Sequence, residues 1–211
     1  METFKIALLS VAAFGLGAIP FSLIIGRLFL RDDIRGYGDG NPGAFNVFRA
    51  GGQKTGYLAI VLDVAKGVPF VFLAHSVFGL SNIAVVVVGM CAILGHAFSP
   101  FLRWHGGKAV AVTFGVLLAL PEHEMLLAFI ACMVVGALFI EVDAWTVVFG
   151  AGGTLAYIAL TRGSSWETLL MLCILVVFTV KHFSSLRVFP GFRGRLVRWL
   201  QSIIRGTLTI I

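Results

Sequence analysis

Seven apolar runs, at residues 4–28, 56–80, 82–101, 109–121, 124–141, 144–161 and 166–183, leave this chain few ways to fold. Lipid offers no partner for a backbone N–H or C=O, and a helix is the form in which one segment satisfies all its own backbone groups. A helix needs about 20 apolar residues to cross a bilayer. The run at 109–121 falls short of that; tilting, local thinning of the bilayer or burial of one end accommodates it. The chain is 59% hydrophobic and 12% charged, against about a quarter charged in ordinary soluble domains. Its 211 residues form one domain, 1–211. The expected fold is an all-α integral membrane protein, an irregular bundle of about seven transmembrane helices.

Charge placement supports that count. With seven spans, the segments 27–54, 99–108, 141–145 and the tail from 181 share one side of the membrane. They carry 13 of the 16 Lys and Arg; the other side holds only Lys5 and Arg162, and Lys66 lies within a span. Merging the two short runs on either side of Pro121-Glu122-His123-Glu124 would send the tail's basic residues to the other face. The positive-inside rule then predicts a multi-pass membrane protein with its N-terminus outside and its C-terminus in the cytoplasm. The net charge of +6 is thereby explained by topology, and no nucleic-acid partner is expected. The first run lacks a basic start and a small-residue cleavage site, so it reads as a retained span, not a signal peptide. Cys91, Cys132 and Cys173 each sit inside an apolar run, which predicts buried free thiols and neither a disulfide nor a metal site. In the tail, Leu196, Leu200, Ile203, Ile204 and Leu208 recur at helical spacing between arginines. This predicts a C-terminal amphipathic interfacial helix facing anionic membrane lipids.

Three polar constellations fall on the cytoplasmic side. The first, RGYGDGNPGAFNVFRAGG from Arg35 to Gly52, holds six glycines, two asparagines and two arginines in eighteen residues. Glycines such as Gly40 and Gly43 let successive N–H groups converge on an anion. Asn41, Asn46 and Arg49 add side-chain donors, and Arg49 offers a fork suited to phosphate oxygens. Arg27, Arg31 and Arg35 suffice for topology, which leaves Arg49 free for a specific role. The second is His105-Gly106-Gly107-Lys108, immediately before an apolar helix. N–H groups at a helix N-terminus attract anions, and Lys108 adds a full positive charge. The glycine spacing and the preceding strand of a nucleotide-binding P-loop are missing, which excludes that reading. The third is Lys181-His182-Phe183-Ser184-Ser185 at the end of the last span, where His182 is a candidate general base. Within the second span, Asp63 and Lys66 are spaced to pair on one helix face. His96 reads at least as readily as a structural hydrogen-bonding residue as a catalytic one.

Taken in order, AIPFSLIIGRLF, GDGNPGAFNVFR, LDVAKGVPF and ILGHAFSPFLRWHGGKAVAVTFGV resemble the bacterial acyl-phosphate-dependent glycerol-3-phosphate acyltransferases over nearly the whole chain. The resemblance implies a seven-span inner-membrane enzyme of phospholipid synthesis. Such an enzyme transfers a fatty acyl group from acyl phosphate to the 1-hydroxyl of glycerol 3-phosphate, releasing lysophosphatidic acid and phosphate. It implies no cofactor, no thioester as direct donor and no obligate protein partner. Residue by residue, His182, Arg49 and Lys108 become catalytic candidates; Asp39, Gly40, Asn41, Gly43, Asn46, Gly106, Gly107 and Ser185 become candidates for binding substrate and phosphate.

The chain also departs from the family's patterns. In GSGNxGATN, Asp39 replaces a serine and Phe45 a threonine; in GGKGVAT, Ala109 and Val112 replace glycine and threonine. In the third motif, Ser185 replaces an asparagine, and no glutamate follows. A second reading, from another class, is a non-catalytic or substrate-shifted paralogue that keeps the fold as a lipid-binding or partner-organising membrane protein. A transporter fits less well, because the polar residues gather on one side and not at mid-membrane.

Overall fold

The computed structural model describes residues 1–191 and Gly194. The amphipathic helix expected beyond residue 191 lies outside the described residues. All seven apolar runs become helical, and ten α-helices are found among the described residues. Helix α1 (Glu2–Ala18) is followed after a break by α2 (Phe21–Ile25), α3 (Ala44–Arg49) and α4 (Gln53–Ala65). Next come α5 (Pro69–Phe72), α6 (Asn82–Ala97), α7 (Val110–Leu118) and α8 (Glu124–Phe139), then α9 (Asp143–Arg162) and α10 (Trp166–Leu186).

Among the described residues, five helical segments are long and apolar enough to cross a membrane: Glu2–Leu30, Gln53–Val77, Asn82–Leu102, Asp143–Arg162 and Trp166–Leu186. Helix α8 is shorter, with 16 residues. Helix α7 has nine, about 14 Å at 1.5 Å per residue, roughly half the thickness of the hydrocarbon core. Much of this short helix is enclosed by protein: Val112, Thr113, Val116 and Leu117 are fully buried. Helices α7 and α8 are separate elements on either side of Pro121.

Small residues let the helices approach closely, as membrane helices do when packing must replace the hydrophobic effect. Helix α1 lies against α6 so tightly that a Cβ on Gly95 would stand 2.2 Å from the Phe14 carbonyl oxygen. At one end of the bundle, Arg162 pairs with Glu122, Glu124 and Glu167. This joins α9 to the start of α8 and of α10. The polar loops gather at the other end.

The first span breaks at Ile19-Pro20, where a proline cannot continue the helical hydrogen-bond ladder. Its freed carbonyls find side-chain donors. Lys66 Nζ donates to Ile19 O at 2.9 Å and Ser99 Oγ to Ala18 O at 2.6 Å. Lys66 also meets Asp63 at 2.7 Å, the expected pair, and Asp63 accepts a hydrogen bond from Ser22 Oγ at 2.5 Å. All four side chains are buried. A buried ion pair of this kind repays its desolvation only when further hydrogen bonds engage both charges, as they do here.

Candidate active site

The first glycine loop is organised by its own carboxylates. Asp33 receives both Arg35 Nε, at 2.9 Å, and Arg35 Nη2, at 2.6 Å, and Arg27 approaches it at 3.2 Å. The Arg35 guanidinium holds the Asp33 carboxyl well below the usual carboxylate range. Arg27 and Arg35 are thus occupied within the loop. Arg49, on α3, points elsewhere.

Asn46 lies beneath it, 1% exposed, with its amide engaged on both sides. Its Nδ2 donates to Asn41 O at 2.8 Å and to Asp39 Oδ1 at 3.1 Å, and its Oδ1 accepts from Arg49 Nη1 at 3.0 Å. Asn46 therefore shapes the loop and aims Arg49, with both amide hydrogens already used. Gly38, at φ +57°, leaves room for that guanidinium: a Cβ there would stand 2.3 Å from Arg49 Nη1.

Asp39 connects this loop to the second. Its Oδ2 stands 2.7 Å from Lys108 Nζ, and its Oδ1 stands 3.8 Å from Arg49 Nη1. Oδ1 also accepts the Asn41 N–H at 3.2 Å. Burial works against ionisation of this carboxyl. The Lys108 ammonium and the N–H groups of Asn41 and Asn46 outweigh it and hold the group below its ordinary value. Asp39 is a carboxylate at neutral pH, an acceptor where the family's serine is also a donor.

The second loop is held from beneath. Gly107 N donates to His96 O at 3.0 Å, and the loop packs so closely that a Cβ on Gly107 would stand 2.1 Å from His96 Nε2. Lys181 reaches up from α10, its Nζ donating to Ala97 O at 2.8 Å and to Gly106 O at 3.0 Å. Ala109, the residue before α7, has a left-handed backbone at φ 64°. That conformation explains the glycine of the family's pattern at this position.

His182 stands next to Lys181 on α10, 3% exposed. Its Nδ1 lies 2.9 Å from Phe178 O. A carbonyl only accepts, so Nδ1 carries a proton, and in its neutral form the ring presents a lone pair at Nε2. The charges of Lys108, Asp39 and Lys181 all act on this ring. Ser185 follows one helical turn later and is half-buried.

Of the residues singled out from the sequence, Asp39, Asn46, Arg49, Gly106, Gly107, Lys108 and His182 come together at one end of the bundle. Gly40 shapes the turn beside Asp39, at φ +72°. Asn41 contributes its backbone N–H and carbonyl to the cluster. Gly43 precedes α3. The structural reading of His96 fits its place beneath the second loop, whereas the support that Lys181 and Ser99 give is not legible from their local sequence. Lys181 opens the third constellation with no role of its own in the sequence, although an ionisable residue at the end of a span is costly enough to signal a partner.

These features define an integral membrane protein with a cationic, histidine-bearing site at one end of a helical bundle. The sequence profile described as glycerol-3-phosphate acyltransferase matches residues 7–189, and the chain belongs to that family. It is 35% identical over 186 residues to a glycerol-3-phosphate acyltransferase of Lacticaseibacillus casei, covering 84% of each chain. With one from Listeria welshimeri it shares 32% identity over 205 residues, 94% of this chain and all of the other. Among solved structures it resembles PlsY (YgiH), an integral membrane glycerol 3-phosphate acyltransferase, in its glycerol 3-phosphate form. The TM-score is 0.78 at 26% identity, covering 86% of this chain and 90% of that one.

Replacing Lys181 by Met removes the donor of two carbonyls beneath the second loop. At about 1–3 kcal/mol for each orphaned buried group, the thermal midpoint in detergent should fall. Lys181→Arg, which keeps a cationic donor, should recover part of the loss. An unchanged midpoint in Lys181→Met would remove Lys181 from this role.

Proposed function

We propose that this protein transfers a fatty acyl group from acyl phosphate to the 1-hydroxyl of glycerol 3-phosphate. Lysophosphatidic acid and inorganic phosphate would be released. The observation that carries the reading is that Arg49 and Lys108, from distant segments of the chain, meet at one carboxylate, with His182 at the same end of the bundle beside Lys181, which braces the second loop. Both substrates carry a phosphate, and Arg49 at the end of α3 and Lys108 just before α7 offer it two positive charges. The glycerol 3-phosphate form of the similar solved enzyme agrees with this acceptor. Retention and assembly of the cations and the histidine speak against a non-catalytic paralogue.

In this reading Arg49 and Lys108 bind phosphate, and the second loop with the start of α7 stabilises negative charge developing during transfer. The acceptor oxygen forms the new ester bond to the acyl carbon as the bond from that carbon to the phosphate oxygen breaks. The electron pair leaves with phosphate. The hydroxyl proton passes to the Nε2 lone pair of His182 and departs with the phosphate. Acyl phosphate already has a good leaving group, so positioning and charge stabilisation suffice without a covalent enzyme intermediate. The acyl chain lies among the apolar helices.

Purified protein given radiolabelled glycerol 3-phosphate and palmitoyl phosphate should form lysophosphatidic acid. Lys108→Ala should lower kcat by about 10²–10³-fold. Arg49→Ala should lower kcat/KM by about 10- to 100-fold, and His182→Ala should lower kcat by at least about 10²-fold. Absence of product under conditions where the Listeria relative is active would contradict the proposal.

By the positive-inside rule, the proposed orientation puts the basic loops and the site in the cytoplasm and the N-terminus outside, in the inner membrane. A cysteine introduced at Arg103 should resist an impermeant maleimide in intact cells and react in inverted vesicles, whereas one at Ser164 should do the reverse. The opposite pattern would invert the topology.

A further inference from the structure

Among the described residues, Asp39 is the anion that meets both Arg49 and Lys108, and its surroundings are those a phosphate oxygen requires. Lys108 Nζ stands 2.7 Å from Oδ2. The Asn46 amide and the Asn41 N–H donate to Oδ1, with Arg49 Nη1 3.8 Å away. An ionised carboxylate donates nothing, so it cannot add a hydrogen bond to a bound phosphate. Left in place, it would repel one and cancel one of the two positive charges that attract it.

The surrounding structure allows it to leave. Asp39 is flanked by Gly38 and Gly40, both with positive φ, at +57° and +72°, and glycine rotates about either side at little steric cost. Its side chain is 38% exposed, on the open side of the loop. The cradle does not depend on it for shape: Asn46 is tied to Asn41 O and Arg49 to Asn46 Oδ1 independently of the carboxylate. Lys181, the other nearby cation, is held by the carbonyls of Ala97 and Gly106. Among the described residues, Lys108 is thus the cation of this cluster whose one side-chain partner is Asp39, between two glycines.

We propose that Asp39 is a resident anion of the phosphate cradle, which holds Lys108 in the substrate-free protein and is displaced from it when glycerol 3-phosphate binds. Asp39 then sets substrate affinity: phosphate wins Lys108 by exchange, and the carboxylate reclaims it as phosphate leaves. The proposal rests on Arg49 and Lys108 being the phosphate-binding cations.

The test is titration of the full-length protein in detergent with inorganic phosphate, alongside steady-state kinetics in glycerol 3-phosphate. Asp39→Asn keeps the shape and removes the charge; Asp39→Ser removes both. Each should bind phosphate about five- to tenfold more tightly and lower KM for glycerol 3-phosphate by a similar factor, with kcat changed less than KM. Asp39→Glu, which keeps the charge, should stay nearer the parent. In a Lys108→Met background, Asp39→Asn should give a much smaller gain, because the contested cation is gone. Unchanged or weaker phosphate binding in folded Asp39→Asn or Asp39→Ser protein would overturn the proposal, as would an equal gain in the Lys108→Met background. Tighter phosphate binding in a protein that transfers no acyl group would leave this inference standing and refute the acyltransferase reading. Acyl transfer with phosphate affinity indifferent to Asp39 would do the reverse.

Discussion

The structure depends on satisfying backbone groups wherever the chain stops being helical next to a bilayer. Each such group left alone costs several kcal/mol in lipid. At the Ile19-Pro20 break and under the second glycine loop, the donors are side chains that span composition would normally exclude. Lys66 and Ser99 take the carbonyls of Ile19 and Ala18; Lys181 takes those of Ala97 and Gly106. These bonds tie the first span to the second and third, and the last span to the second loop. The position of Lys108 and the site around it follow from them.

On this scaffold the cations divide into two kinds. Lys66 and Lys181 are committed to carbonyls, and Arg27 and Arg35 to Asp33. Arg49 and Lys108 meet at Asp39, partly exposed. A site for a phosphorylated substrate needs positive charge that is aimed but not consumed. An arginine braced by a buried asparagine and a lysine held by one carboxylate fit that need better than the more numerous arginines of the first loop do.

Much of this was legible in the sequence, for physical reasons that can be named. The apolar runs imposed helices because lipid permits little else. The concentration of basic residues separated the short runs around Pro121, and the structure keeps α7 and α8 apart. The Asp63–Lys66 pair followed from spacing alone. Gly106 to Lys108 and His182 were recognisable because a glycine loop before a helix and an interfacial histidine each have few uses. What escaped were contacts between segments far apart in sequence. Nothing local in Asp39 announces that its partner is Lys108, or that Asn46 divides its amide among Asn41, Asp39 and Arg49. Nor does the length of the run at 109–121 say how little of it becomes helix: nine residues. The lysine preceding His182 did carry a signal, since an ammonium near lipid must be paid for by partners, and these proved to be the carbonyls beneath the second loop.

The central claim is that Arg49, Lys108 and His182 serve one phosphate-bearing substrate. The most direct measurement is a crystal structure of this protein grown in lipid with glycerol 3-phosphate bound. The expected result places phosphate oxygens within hydrogen-bond distance of Lys108 Nζ and the Arg49 guanidinium, with the 1-hydroxyl facing the His182 ring. A ligand seated away from these residues, or one that leaves Lys108 and Arg49 to different molecules, would contradict it.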